Sequence, residues 1–127
     1  MESTIPDEVI QFVARYIRSL DQLETLLLVC ALPDREWSAP QVDSVIRSNP
    51  ASVSDWLEGF VQAGILSRSD DKQFYRYQPS SDELARAVAA LGATYKMSRH
   101  KIVKLIYSEQ SSAIKSFSEA FRFRKQE

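Results

Sequence analysis

Apolar residues recur along this chain with two periods, and the points where the period changes mark its elements. Val9, Ile10, Val13, Tyr16 and Ile17 fall at steps of three and four, so a helix is predicted over residues 7–17, with Pro6 suited to its first turn. Ser19 with Gln22 and Asp21 with Glu24 have capping-box spacing and open a second helix, 21–32. That helix is apolar nearly all round at Leu26, Leu27, Leu28 and Val29 and is expected at the centre of the domain. Ser38 with Gln41 repeats the capping signal, and Pro40 fits the first turn of a short helix, 40–47. Asn49 and Pro50 then cap and start a helix over 51–63, whose Val53, Trp56, Leu57, Phe60 and Val61 form one stripe and which Gly64 ends. Two helices joined by such a turn are a helix-turn-helix pattern. Leu27, Val45, Val53, Leu57 and Phe60 are its expected core residues.

After Gly64 the period drops to two. Residues 65–67 and 73–78 read as strands, the second with Phe74, Arg76 and Gln78 on one side and Tyr75 and Tyr77 on the other. The polar SDDK between them is a turn, so 65–78 is a β-hairpin. Pro79 closes the hairpin, Ser80 or Ser81 can cap a further helix, and no proline interrupts residues 82–107. A single helix of that length would extend roughly 39 Å. Along it Leu84, Val88, Leu91, Tyr95, Ser98, Ile102 and Leu105 are spaced 4, 3, 4, 3, 4 and 3, the alternation of a seam between paired helices. The helix over 7–17 could cover part of this stripe within one chain, and both are expected to occur, with that helix joining the dimer core. Farther on, Ile114, Phe117 and Phe121 repeat at helical spacing before the basic RFRK, an amphipathic segment able to fold back or to meet a partner protein. The chain thus divides into residues 1–79, an N-terminal helix with a helix-turn-helix and hairpin, and 80–127, a long helix with a basic tail, the two forming one compact unit.

Composition adds a boundary and an asymmetry. With 127 residues, 44% hydrophobic and 26% charged, the chain is an ordinary globular domain. Its first residues are acidic and no apolar run is long enough to span a bilayer, so a cytoplasmic protein without membrane contact is expected. The net charge of −1 hides 8 basic against 14 acidic residues over 1–93, a net of −6, and 8 against 3 over 94–127, a net of +5. Such a division suggests that the two parts meet different surfaces or each other.

The order helix, helix, turn, helix ending in AGIL, then a hairpin closing on YRY, resembles the winged-helix regulators of bacteria, the MarR-like and PadR-like groups. The likeness runs from about Leu20 to Pro79 and is carried by residues 38–47, 49–63, the Gly64-Ile65-Leu66 exit and the hairpin through Tyr77. It implies a mainly α fold with a small β-hairpin, a homodimer formed by the C-terminal helix, and duplex DNA as partner. The second helix of the motif would enter the major groove and the wing would lie on the backbone. By position, Ser52, Ser54, Asp55, Glu58 and Gln62 would face the groove, with Arg47, Ser48 and Asn49 at the turn and Arg68, Lys72 and Arg76 on the wing. Leu84, Val88, Leu91, Tyr95, Ile102 and Leu105 would form the dimer interface. The sequence departs from such regulators in one respect. Residues 51–63 hold Asp55 and Glu58 and no lysine or arginine, although phosphate neutralisation supplies most sequence-independent DNA affinity.

Other chemistry finds little support. His100, the one histidine, stands among Arg99, Lys101 and Lys104, with neither a metal-ligand set nor an orienting carboxylate in view. Gly59, Gly64 and Gly92 have no phosphate-loop spacing. The acid pairs Asp7 and Glu8, Asp70 and Asp71, and Asp82 and Glu83 suit helix starts and a turn. Cys30, alone in the apolar run LETLLLVCAL, is expected to pack as a small hydrophobe. Trp37, Trp56, Tyr75 and Tyr77 would make a stacking platform only beside positive charge. Trp56 and the tyrosines are assigned to the core, and Trp37 stays open. No enzyme activity, cofactor or metal is expected. Two functions remain: a DNA-binding transcriptional regulator acting as a homodimer, favoured by the resemblance, and a winged-helix protein–protein module with little DNA binding, favoured by the charge distribution.

Overall fold

In the computed structural model, which describes residues 5–107, six helices and a hairpin share one core. Their order is α1 (Asp7–Tyr16), α2 (Leu20–Ala31), α3 (Ala39–Ile46), α4 (Pro50–Gln62), β1 (Leu66–Arg68), β2 (Tyr75–Tyr77) and α5 (Asp82–Met97). A further helical segment, α6, occupies residues 99–107.

The helix starts follow from side chains that satisfy otherwise unpaired N–H groups. Ser19 accepts from Gln22 N, Ser81 accepts from Leu84 N, and Ser38 with Gln41 forms a full capping box. Asn49 accepts from both Ala51 N and Ser52 N, with Pro50 in the first turn of α4. Gly64, at φ 83°, ends α4: Gly64 N donates to Val61 O and Ile65 N to Phe60 O, the paired bonds of a Schellman turn. A side chain here would be both strained and blocked, since a Cβ would meet Ser80 Oγ at 2.5 Å.

The strands pair antiparallel, Leu66 opposite Tyr77 and Arg68 opposite Tyr75. Trp37 extends this sheet. Its N–H donates to Tyr75 O at 2.8 Å and its carbonyl accepts from Tyr75 N at 2.7 Å, so β2 lies between β1 and the segment before α3. The Trp37 ring is buried, with the Arg35 guanidinium 3.8 Å from its centre, which assigns it to packing. In the turn, Asp71 Oδ1 accepts from the Ser69 hydroxyl at 2.5 Å and from Gln73 N at 3.1 Å, and Lys72 adopts φ 63°.

Three expectations need correction. The helix predicted over 82–107 is two helices, because Ser98 leaves the helical region at φ −143° and ψ 57° while its carbonyl accepts from Lys101 N and Ile102 N. The turn brings Ile102 and Ile106 fully into the core. Val45, expected in the core, is 55% exposed, and Leu27 is half-buried. α3 buries Val42 instead, and both Leu27 and Val45 line an open groove of about 990 Å³ between α2, α3 and α5. Val53, Leu57 and Phe60 are buried as expected. α5 packs along α1 within the chain, so that Val88 and Leu91 of the expected seam, with Ile102, lie in the chain's own core, while Leu84, Tyr95 and Leu105 remain half-buried. Ile114, Phe117 and Phe121 lie outside the described residues.

Candidate nucleic-acid interface

Three faces of α4 have different neighbours. Val53, Leu57 and Phe60 enter the core. Ser54 and Glu58, one turn apart, face the hairpin. Ala51, Asp55, Gly59 and Gln62 form the exposed face, and a Cβ at Gly59 would meet nothing within 4 Å. Of the positions assigned to the groove by sequence, Asp55 and Gln62 lie on this face and Ser52 beside it, half-buried. Ala51 and Gly59 were missed; their spacing from Asp55, four residues on either side, is the signal that places them together.

The turn before α4 is held by its own side chains. Asp43 Oδ1 accepts from Ser48 N at 3.0 Å, Arg47 adopts φ 60°, and Asn49 Oδ1 is occupied by its two capping bonds. Arg47, Ser48 and Asn49 are all exposed, the asparagine keeping its amide NH2 for other partners.

On the wing the cations differ in what surrounds them. Arg68 Nη1 donates to Glu58 Oε1 in an ion pair across the junction of β1 and α4, with the side chains 30% and 35% exposed. The second carboxylate oxygen, Oε2, accepts from the Tyr75 hydroxyl at 2.5 Å. Arg68 chiefly, and Tyr75 next, therefore hold the Glu58 carboxyl below the usual glutamate range. Burial, and then the bond to Glu58, push the Tyr75 hydroxyl up to about 12, with smaller opposing effects from the charge of Arg68 and then the Ser54 hydroxyl. Lys72, at the turn, is exposed and close enough to Glu58 to favour its charged form. Arg76 is exposed on the outer side of β2, its Nη2 3.4 Å from Gln78 Oε1.

No family model matches the sequence, and no curated protein matches it. Among solved structures, a multiple antibiotic-resistance repressor (MarR) from Listeria monocytogenes 4b F2365 superposes with a TM-score of 0.50 at 14% identity, covering 93% of this chain and 84% of that one. The likeness is one of fold, a winged helix-turn-helix. A possible transcriptional regulator from Methanosarcina mazei Go1 is 17% identical with a TM-score of 0.48, covering 89% of this chain and 86% of its own. In the terms of this fold, α3 and α4 are the helix-turn-helix, the hairpin is the wing, and α1, α5 and α6 are the flanking helices.

The groove between α2, α3 and α5 is a second concave feature. Its walls include Leu28, Ala31, Ile46 and Ala93. At one end the Tyr95 hydroxyl donates to Glu24 Oε2 at 2.8 Å while accepting from Arg99 Nε at 2.9 Å. Cys30 also lines the groove, its thiol pushed up to about 12 by burial, which keeps it protonated and packing as a small hydrophobe. Among the described residues no group of three or more His, Cys, Asp or Glu is arranged to hold a metal ion, and no helix is long and apolar enough to cross a membrane.

Proposed function

We propose that this chain is a DNA-binding transcriptional regulator that acts as a homodimer. The observation that carries the reading is the exposed face of α4, Ala51, Asp55, Gly59 and Gln62, free of cover from the rest of the described chain and lying between the Arg47 turn and a wing bearing Lys72. A helix of about 10–12 Å diameter fits the major groove, and small residues on the leading face permit close approach to base edges. Ser52 and Gln62 supply hydroxyl and amide groups, and Asp55 can accept from a cytosine amine. Arg47, Lys72 and Arg76 supply the phosphate contacts, with Ser48 and Asn49 beside them. The dimer would use Leu84, Tyr95 and Leu105, which the described chain only half covers, together with the exposed Met97 and Tyr107. Fluorescence anisotropy with a random duplex at two salt concentrations tests the DNA reading: affinity should fall steeply with salt, and binding that ignores salt, or none, overturns it.

One observation favours a second reading, a winged helix used for protein contact. With Arg68 matched to Glu58, the exposed face of α4 presents Asp55 and no cation, in a segment whose net charge over residues 1–93 is −6. A basic protein surface would suit that face better than phosphate would.

A further inference from the structure

We propose that Glu58 restrains DNA affinity by competing with phosphate for Arg68, an inference that rests on the DNA-binding reading above. Arg68 leaves β1 where the wing meets α4, a position from which an arginine can reach the backbone of a duplex seated on α4. Its guanidinium is committed instead to Glu58 Oε1. Both members of the pair are about one-third exposed, so the pair is accessible to a polyanion and individually weak. The carboxylate is nevertheless fixed, since Tyr75 donates to its other oxygen at 2.5 Å and Tyr75 is itself locked by two backbone bonds to Trp37. Glu58 therefore cannot swing out with the arginine. Arg68 has to leave it, and the stationary charge left behind faces the incoming phosphates. Each phosphate contact contributes to affinity by releasing counterions, so an arginine withheld in this way lowers both affinity and its dependence on salt. Glu58 acts through Arg68 and is a positioning residue rather than a contact.

The full-length chain, its Glu58→Gln and Arg68→Gln variants and the double variant would be titrated with one random duplex across a salt series. Asp55→Asn serves as a control that removes a charge from the same helix without releasing an arginine. Glutamine can still accept from Tyr75, and thermal melts verify folding. Should Glu58→Gln fail to fold, Tyr75→Phe replaces it, since it frees the carboxylate to move and should shift affinity in the same direction by less. The expected result is tighter binding by Glu58→Gln, with the slope of log affinity against log salt steeper by about 0.9, and loss of that gain in the Arg68→Gln background. A gain equal to that of Asp55→Asn that persists without Arg68 overturns the inference, as does weaker binding by Glu58→Gln. Salt-sensitive binding by the wild type that Glu58→Gln leaves unchanged also overturns it, while sparing the DNA reading. Absence of binding by every form overturns the DNA reading and the inference with it.

Discussion

The Tyr75 hydroxyl donates to Glu58 Oε2 at 2.5 Å, joining the second strand of the wing to a helix residue 17 positions earlier. Together with the Arg68 pair on the other oxygen, it makes Glu58 the point at which the wing and α4 are fastened. Because these bonds hold the carboxyl below its ordinary value of 4.5, the ionised form is favoured by folding. The resulting stability is fully present above that value and is lost as pH falls through the lower folded one. Wild type should therefore melt above Glu58→Gln at about pH 6, with the difference shrinking as pH falls below 4.5. A difference that stays constant across this range would show that the carboxylate's charge contributes nothing to the fastening.

Leu57 and Asp55 lie two residues apart on opposite sides of α4, one fully buried and one exposed. Leu57→Ala should lose about 2–5 kcal/mol, because the cavity sits among rigidly packed neighbours. Asp55→Ala should change stability by about 0.5 kcal/mol or less. Chemical denaturation of the two variants checks the assignment of faces on which the interface depends.

Val42 and Val45 provide a similar contrast on α3. Val42 is fully buried, whereas Val45 faces the groove at 55% exposure. Val45→Asp should leave the fold intact by circular dichroism, while Val42→Asp should unfold it, since an isolated carboxylate in that core has no partner. Unfolding by Val45→Asp would mean that the groove is closed in solution.

How much could be read in advance depends on how local each feature is. Ser19, Ser38, Asn49 and Ser81 accept from N–H groups two or three residues ahead, so the starts of α2 to α5 are written in a few adjacent residues. The Gly64 exit and the hairpin are local in the same sense. The turn at Ser98 is not, since neither proline nor glycine marks it. It arises from the burial of Ile102 and Ile106, a property of the whole core. Trp37 joins the sheet through a strand 38 residues further along, and no nearby pattern announces that pairing. At the candidate interface, a count of charges treats Arg68 and Glu58 as independent. Their pairing appears only once β1 is laid against α4, and it makes the wing poorer in available charge than its sequence suggests.

Cys30 gives a prediction on reactivity. With its thiol pushed up to about 12, very little thiolate exists near neutrality, although the residue lines an open groove. Alkylation of the native chain at about pH 8 should be far slower than that of the same chain in denaturant, where an ordinary thiol value near 8.5 is restored. Equal rates would place the thiol in solvent and undo the account of how α2 packs.

The homodimer is the most open to test, because the chain already uses much of the surface first assigned to it. Val88, Leu91 and Ile102 are buried within one protomer, and the turn at Ser98 breaks the straight seam on which a paired coil would depend. At that end the described residues leave apolar side chains uncovered: Met97 is 82% exposed, Tyr107 is 50% exposed, and Leu105 is half-buried. Single exposed apolar residues are common, but Met97 and Tyr107, one before and one after the turn at Ser98, are large apolar side chains that a second copy could cover. Sedimentation equilibrium of the full chain should give a dimer at micromolar concentration. Met97→Asp with Tyr107→Asp should shift it towards monomer without lowering the melting temperature of the monomer, because neither side chain supports its own core. A dimer that survives both changes would place the interface elsewhere, and a monomeric wild type would overturn the homodimer itself.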